Sequence, residues 1–359
     1  MALSHRIPMT TKTIVKSRTK TKVAALLALS FAAAAGLLAI SQNDSVKRAF
    51  IKRSEYLPLA TSTLSPVGRA LQDVFSLSIP ESYSRLPAET NCSNREDVLR
   101  AQPDFFATGR RRAMASINGR TIDVFIHTPT NGAEHVALAD EGLTIIERML
   151  PIHERWLAPY PCDHLYVNAF AQDEAFGGPG YIGIGGYGGG VNSPSLLGHE
   201  LAHSYFHSSQ SYSWFAEGAA QFLPYVNQNE QLTQGLIAPR DVYGDYSSFD
   251  FTFPEFVRDR MSHWSDAQRS SLGISRVERI CEYDDDYLRG AILGNGLMLD
   301  AYLAMGQEPF LQALQTLYIR YRMTGRPNQY YDIFRVFRYF SPSSASASFV
   351  PDLQRRLCM

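Results

Sequence analysis

The chain has 359 residues, 45% of them hydrophobic and 19% charged, with a formal net charge of −1. That length can bury a real core in one large domain or two small ones, and the composition excludes a disordered chain. Six cations (Arg6, Lys12, Lys16, Arg18, Lys20, Lys22) precede the first acid, so the remainder holds 28 basic against 35 acidic residues, a mildly acidic body with no electrostatic footprint for nucleic acid.

The basic arm, residues 1–22, leads into VAALLALSFAAAAGLLAI, Val23 to Ile40, eighteen residues without a charge. As a helix this run just spans a bilayer, and the cations before it would keep the N-terminus in the cytoplasm. Residues 23–41 therefore read as a transmembrane signal anchor or, given the small residues around Ala39-Ile40-Ser41, as a cleaved signal peptide. Either way residues 42–359 leave the cytoplasm, membrane-anchored or secreted. Cys92, Cys162, Cys281 and Cys358 would then sit where disulfides persist, with three pairings open.

Residues 42–115, broken by Pro58, Pro66, Pro80, Pro87 and Pro103, read as a linker or a small irregular subdomain. From there the main domain, 116–359, begins. TIDVFIH (121–127) alternates and is β-rich, hence a strand. Apolar positions recur at helical spacing from Glu134 to Trp156, and Pro159-Tyr160-Pro161 ends that helix. DHLYVNAF (163–170) is a second strand. AFGGPGYIGIGGYGGG (175–190) holds nine glycines and cannot be a stable helix, so it reads as an exposed strand and loop. Helices then run from Pro194 to about Phe340, followed by the polar spacer SPSSASAS (341–348). A sheet followed by helices is the α+β class. YIRYRMTGR (318–326) reads as a solvated helix end, and Asp284, Asp285 and Asp286 as a helix N-terminus.

The chemistry lies in GHELAHSYFHSSQSYSWFAEGAAQFL (198–223). Residues i and i+4 share a helix face, so His199 and His203 can present two imidazole nitrogens to one metal ion, as they do for zinc. Glu200 lies where its carboxylate reaches a water on that ion. An accidental H-E-x-x-H occurs in about one chain in a hundred, so a third ligand must be found. His207 is too far along, because eight residues of helix rise about 12 Å; it reads as a solvated or outer histidine. Phe206 and Ser209 stand where a metzincin needs Gly and His. Glu217 fits instead: SSQSYS is a polar turn, the helix from WFAEG can fold back, and a carboxylate among Trp214, Phe215, Ala216, Gly218 and Ala219 needs a partner to offset its desolvation.

H-E-x-x-H followed by W-x-x-E-G resembles the gluzincin zinc metallopeptidases, and is most similar to the branch of aminopeptidase N-type and glycyl aminopeptidase-type enzymes. ERWLAPYPCDHLYV (154–167) and DYLRGAILGNGLMLDAYL (286–303) extend the resemblance, which covers about Arg120 to Phe340. It implies a thermolysin-like catalytic domain, a small mixed sheet followed by a mainly helical lobe. It also implies one Zn2+ held by His199, His203 and Glu217, with Glu200 as general base and Tyr287 of Y-x-x-G-A stabilising the oxyanion. A peptide or protein is the implied substrate, hydrolysed by zinc-activated water.

The family's G-A-M-E-N strand corresponds to GGPGYIGIGG, which has no acid; Asp173 and Glu174 lie just before it. Gly178, Gly180 and Tyr181 are the substrate-binding candidates there, through strand addition at an open edge, which favours endopeptidase or restricted-substrate action over removal of single N-terminal residues. Two alternatives remain: a zinc hydrolase of the same fold acting on a non-peptide substrate, and an anchored binding domain without turnover.

Overall fold

In the computed structural model the described residues are 65–78, 92–169, 175–185, 191–238, 279–283 and 287–359, without the side chains of residues 283 and 287–289. Their order is α1 (Pro66–Phe75), α2 (Arg95–Ala101), β1 (Arg110–Ala115), β2 (Thr121–His127), α3 (Ala133–Trp156), β3 (His164–Asn168), β4 (Phe176–Gly178) and β5 (Tyr181–Gly183). The helices α4 (Pro194–Ala202), α5 (Ser213–Thr233), α6 (Tyr287–Met305), α7 (Gln307–Thr324), α8 (Tyr330–Phe340), α9 (Ser343–Ser346) and α10 (Phe349–Arg356) follow. A mixed sheet followed by a helical lobe is the α+β class expected.

The five strands lie in the order β1-β2-β3-β5-β4. β2, β3 and β5 are parallel neighbours, while β1 and β4 are antiparallel to theirs, one at each edge. The β2–α3–β3 crossover places α3 on one face of the sheet. Ala139, Leu143, Ile146, Met149 and Leu150 on α3 are buried with Ile122, Val124, Ile126, Leu165 and Val167 of the strands in one continuous core. That core extends through Leu197 and Leu201 of α4 and Phe215, Phe222 and Leu223 of α5 into the helical lobe. On the opposite face, Phe105, Phe125 and Tyr166 form a second, smaller cluster with Val98.

β1 has no strand-like signal in its sequence, RRRAMA. The reason is electrostatic. It is an edge strand whose arginines face acids rather than a core: Arg110 pairs with Asp140 at 3.0 Å, Arg111 with Asp123 at 2.6 Å and Arg112 with Glu147 at 2.6 Å. Charges on an edge also discourage pairing with another chain. The β1–β2 ladder runs across residue 116, and Val67, Leu71 and Val74 of α1 belong to the main core, so described parts of 42–115 are integral to it.

Two expectations need correction. Arg320 and Arg322 are not on a solvated helix end. Arg320 pairs with Asp332 at 2.9 Å, donates to the Arg326 and Pro327 carbonyls and lies over the Phe75 ring, while buried Arg322 donates to Tyr318 Oη at 2.7 Å. Gly325 in the left-handed region ends α7, and Arg320 closes the turn into α8. The spacer 341–348 contains the single helical turn α9.

The cysteines pair as Cys92–Cys162 and Cys281–Cys358, resolving the three possibilities. The first staples the chain before α2 to the approach to β3, and the second ties the 3-10 turn Ile280–Tyr283 to the C-terminus. Among the described residues no helix is long and apolar enough to cross a membrane; the apolar run 23–40 lies outside them, as do Asp284, Asp285 and Asp286.

Two buried polar groups on the last turn of α3 have different fates. The Glu154 carboxylate accepts from the Ile117 and Tyr160 amides, at 2.8 and 2.7 Å, and from the Ser116 hydroxyl, tying the β1–β2 turn to the loop after α3. His153 is fully buried, and neither ring nitrogen has a hydrogen-bond partner among the described residues. Burial pushes its pKa down from 6.5 to about 3. The unfolded chain therefore takes up a proton before the folded one does, and stability falls as pH drops from about 6.5 toward 3, by at most about 1.4 kcal/mol per pH unit from this group. Urea unfolding of His153→Leu at pH 7.5 and pH 5 should show a shallower acid loss than the parent; an identical loss would clear His153 of that role.

Candidate metal centre

Ser193 caps α4, its hydroxyl accepting from the Leu196 amide, and Pro194 occupies the first helical position, where its missing N–H costs nothing. The helix is short: it ends at Ala202, and His203 closes it by donating its amide to the His199 carbonyl. His199 and His203 consequently share one face. After the turn, α5 returns along α4 and brings Glu217, in its second turn, opposite both rings.

Close approach of these helices depends on absent side chains. A Cβ on Gly218, beside Glu217, would lie 2.8 Å from the Gly294 backbone of α6, and one on Gly294 would lie 2.0 Å from the Trp214 carbonyl. Helices α5 and α6 thus touch backbone to backbone at the level of the site.

The distances suit a metal ion. His199 Nε2 and His203 Nε2 are 3.1 Å apart, and Glu217 Oε2 and Oε1 lie 3.4 Å from them respectively. Ligands about 2.0–2.2 Å from a tetrahedral ion are separated by about 3.3–3.6 Å, close to the spacing of the two imidazole nitrogens and the Glu217 carboxylate. The tautomer also fits. His203 Nδ1 lies 2.8 Å from the Phe206 carbonyl oxygen, an acceptor only, so the ring proton sits on Nδ1 and the Nε2 lone pair points inward. A lone pair, a second imidazole and a carboxylate converging at these distances repel unless a cation or proton lies among them. His199, Glu200 and His203 also have ligand atoms within 4.8 Å of one another, but Glu217 approaches both rings and Glu200 stands beside them.

The protonation equilibria carry the same tension. Burial lowers the His199 pKa, yet its hydrogen bond to Glu217 and the charges of Glu200 and Glu217 outweigh that and raise it. His203 is pushed down to about 4 by burial and by His199. Burial raises Glu200 to about 7, against the pull of His199 and with a push from Glu217. Glu200 Oε2 is buried without a hydrogen-bond partner among the described residues, a carboxylate with an unused acceptor.

Beside these helices runs the sheet edge. Glycine at 177 is obligatory, because a Cβ there would lie 2.2 Å from the Glu200 carbonyl oxygen. β4 therefore lies directly against α4. Gly178 has open space where a side chain would be, and Gly180 turns the hairpin at φ +80°. Tyr181 is half-buried on the far face of the sheet, stacked on exposed Phe176.

The structure thus gathers His199, Glu200, His203 and Glu217 into one cluster. Gly178 lies on the adjoining edge strand, with Gly180 and Tyr181 in its hairpin. Tyr287 begins α6, its side chain outside the described residues; Asp173 and Glu174 lie outside them as well. His207 is buried rather than solvated, held in the turn after α4 by Ser209, whose hydroxyl is 2.6 Å from Nδ1. Sequence reasoning gave no functional part to Tyr160 and Ser204, whose hydroxyls join the hairpin to the turn after α4; neither belongs to any pattern of spacing.

No family model matches the sequence, and no curated protein matches it. Solved structures do. An M1 zinc metallopeptidase from Deinococcus radiodurans aligns at 15% identity and TM-score 0.44, over 68% of this chain and 51% of that one. A point mutant of that enzyme bound to a Tyr-Ser-Ala substrate aligns at 15% identity and TM-score 0.43, over 69% and 51%. The chain spans about half the length of these structures, and at such values the functional reading stands on the site's own geometry.

A proton on an imidazole competes with a metal for the same lone pair. Since His199 is the ring whose pKa is raised, zinc affinity should fall about tenfold per pH unit on acidification through and below the His199 pKa, with His203 adding to the loss only near pH 4. Competition with a zinc chelator across pH 4–8 measures this; affinity independent of pH would contradict imidazole ligation.

Proposed function

We propose that the chain is a zinc-dependent peptidase in which His199, His203 and Glu217 hold one Zn2+ and Glu200 is the general base. The observation that carries the reading is two imidazole nitrogens 3.1 Å apart, each 3.4 Å from one oxygen of the Glu217 carboxylate, with the buried, unpartnered Glu200 Oε2 beside them. Zinc with three protein ligands supplies an open position, Lewis acidity toward a carbonyl, and a bound water of pKa about 7.

The protein's own groups do the rest. Glu200 Oε2 accepts the proton of the attacking water and passes it to the nitrogen of the departing amine, so the carboxylate is regenerated in each cycle. Tyr287, at the first residue of α6, is the proposed phenol donor to the oxyanion, worth roughly 3–4 kcal/mol by analogy with single oxyanion donors. The substrate lies extended along β4, an edge strand among the described residues, where Gly178 has open space in place of a side chain.

An exported location belongs to the same proposal: residues 23–40 serve as signal anchor or cleaved signal. Two disulfides in the chain support an oxidising compartment.

Glu200→Gln is the decisive variant. It keeps the volume and should retain one zinc per chain while lowering turnover of a peptide library by about 10²–10⁴-fold. Undiminished cleavage would remove Glu200 from the mechanism, and absence of bound zinc in the parent protein would remove the metal.

A further inference from the structure

The β4–β5 hairpin and the metal helix are joined by a short relay of buried hydroxyls. The Gly180 amide donates to Tyr160 Oη at 3.3 Å, Tyr160 Oη lies 3.2 Å from Ser204 Oγ, and Ser204 Oγ donates to the Gly178 carbonyl at 3.2 Å. Tyr160 and Ser204 are both fully buried. The polarity of the relay is determined by its ends. An amide can only donate and a carbonyl can only accept, so Tyr160 receives from Gly180 and gives its own proton to Ser204, which gives its proton to Gly178. Each hydroxyl donates once and accepts once, and both backbone groups flanking Pro179 are satisfied.

The remaining polar groups of the turn point elsewhere. The Pro179 carbonyl accepts from the Ser93 amide at 3.0 Å and the Gly180 carbonyl from the Tyr166 amide at 2.9 Å. Those bonds attach the hairpin to the sheet and to the segment beside Cys92. Among the hydrogen bonds of residues 178–180 here described, the hydroxyl relay is the one that reaches the chain carrying the metal donors, at the residue next to His203. Its counterpart in packing is Gly177 against the Glu200 carbonyl. One contact stops β4 from moving away from α4, and the other stops it from moving closer.

We infer that Tyr160 and Ser204 are positioning residues, which set the distance between the substrate-bearing edge strand and the metal donors without touching either substrate or metal. This rests on the proposed peptidase reading for its kinetic consequence. Loosening the relay leaves the ligands of α4 and α5 intact but lets β4 drift, so an extended peptide would be held less well over the reacting atoms.

The test uses the full chain carrying Ser204→Ala, Tyr160→Phe or Ser204→Thr. Zinc content should stay at the parent level in all three. Ser204→Ala and Tyr160→Phe should raise KM for peptide substrates about tenfold with kcat changed less than about threefold, and Ser204→Thr, which keeps the hydroxyl, should return KM toward the parent value. Amide hydrogen exchange over 176–183 should quicken about tenfold in the first two variants, as expected for a buried donor or acceptor left unpaired, while exchange in α5 stays unchanged. Unchanged hairpin exchange, or a KM effect that merely follows loss of zinc, would overturn the inference. If the parent protein cleaves no peptide, the proposed function fails, and the exchange measurement still decides whether these hydroxyls hold the hairpin in place.

Discussion

The site depends on two imidazole nitrogens 3.1 Å apart being held against one carboxylate, each nitrogen 3.4 Å from its own oxygen of Glu217. Two imidazole nitrogens and a carboxylate do not assemble at that distance unaided, since each loses hydration and each repels the others. What holds them is the packing of α4, α5 and α6 around a core that includes Leu197, Leu201, Phe215 and Phe222. Burial of these apolar side chains, each worth about 1.5–3 kcal/mol, provides the driving force that offsets the crowding of the polar ones. Burial and the neighbouring charges shift the two histidines in opposite directions, His199 raised by Glu217 and Glu200 and His203 lowered by burial.

Small residues set the scale of this assembly. Gly218 and Gly294 let α5 and α6 meet backbone to backbone, and Gly177 lets the edge strand rest on the carbonyl of Glu200. In each place a single methyl group would displace a whole element, because backbone rather than a flexible side-chain tip lies opposite. The fold therefore sets the spacing of β4 and α4 from two sides, by contact at Gly177 and by tether at Tyr160 and Ser204. Glu154 performs a similar service further out, gathering the β1–β2 turn and the loop that carries Tyr160 through three hydrogen bonds.

Much of this was legible in the sequence, and the particular successes share a cause. TIDVFIH, the helix ending at Trp156 and the H-E-x-x-H face are local patterns, in which period and composition speak for a few consecutive residues. β1 was not legible because its three arginines are satisfied by Asp140, Asp123 and Glu147 at 12 to 35 residues' remove. Arg320 misled for the same reason: a cation looks solvated until Asp332, on the next helix, is placed beside it. The disulfide pairing needed the fold as well, since Cys92 and Cys162 are 70 residues apart and Cys281 and Cys358 are 77 apart.

Taken by itself, the sequence determined which residues could act: two histidines one helical turn apart, a glutamate between them, a second glutamate in an apolar stretch and a bare glycine-rich strand. Only the tertiary structure decided that Glu217 faces both imidazoles, that His203 carries its proton on Nδ1, and that β4 lies at the sheet edge against α4. The physical reason is that helical periodicity specifies a face but not what that face meets. Distances between donors on separate elements come from core packing and from close glycine contacts, which no local pattern records.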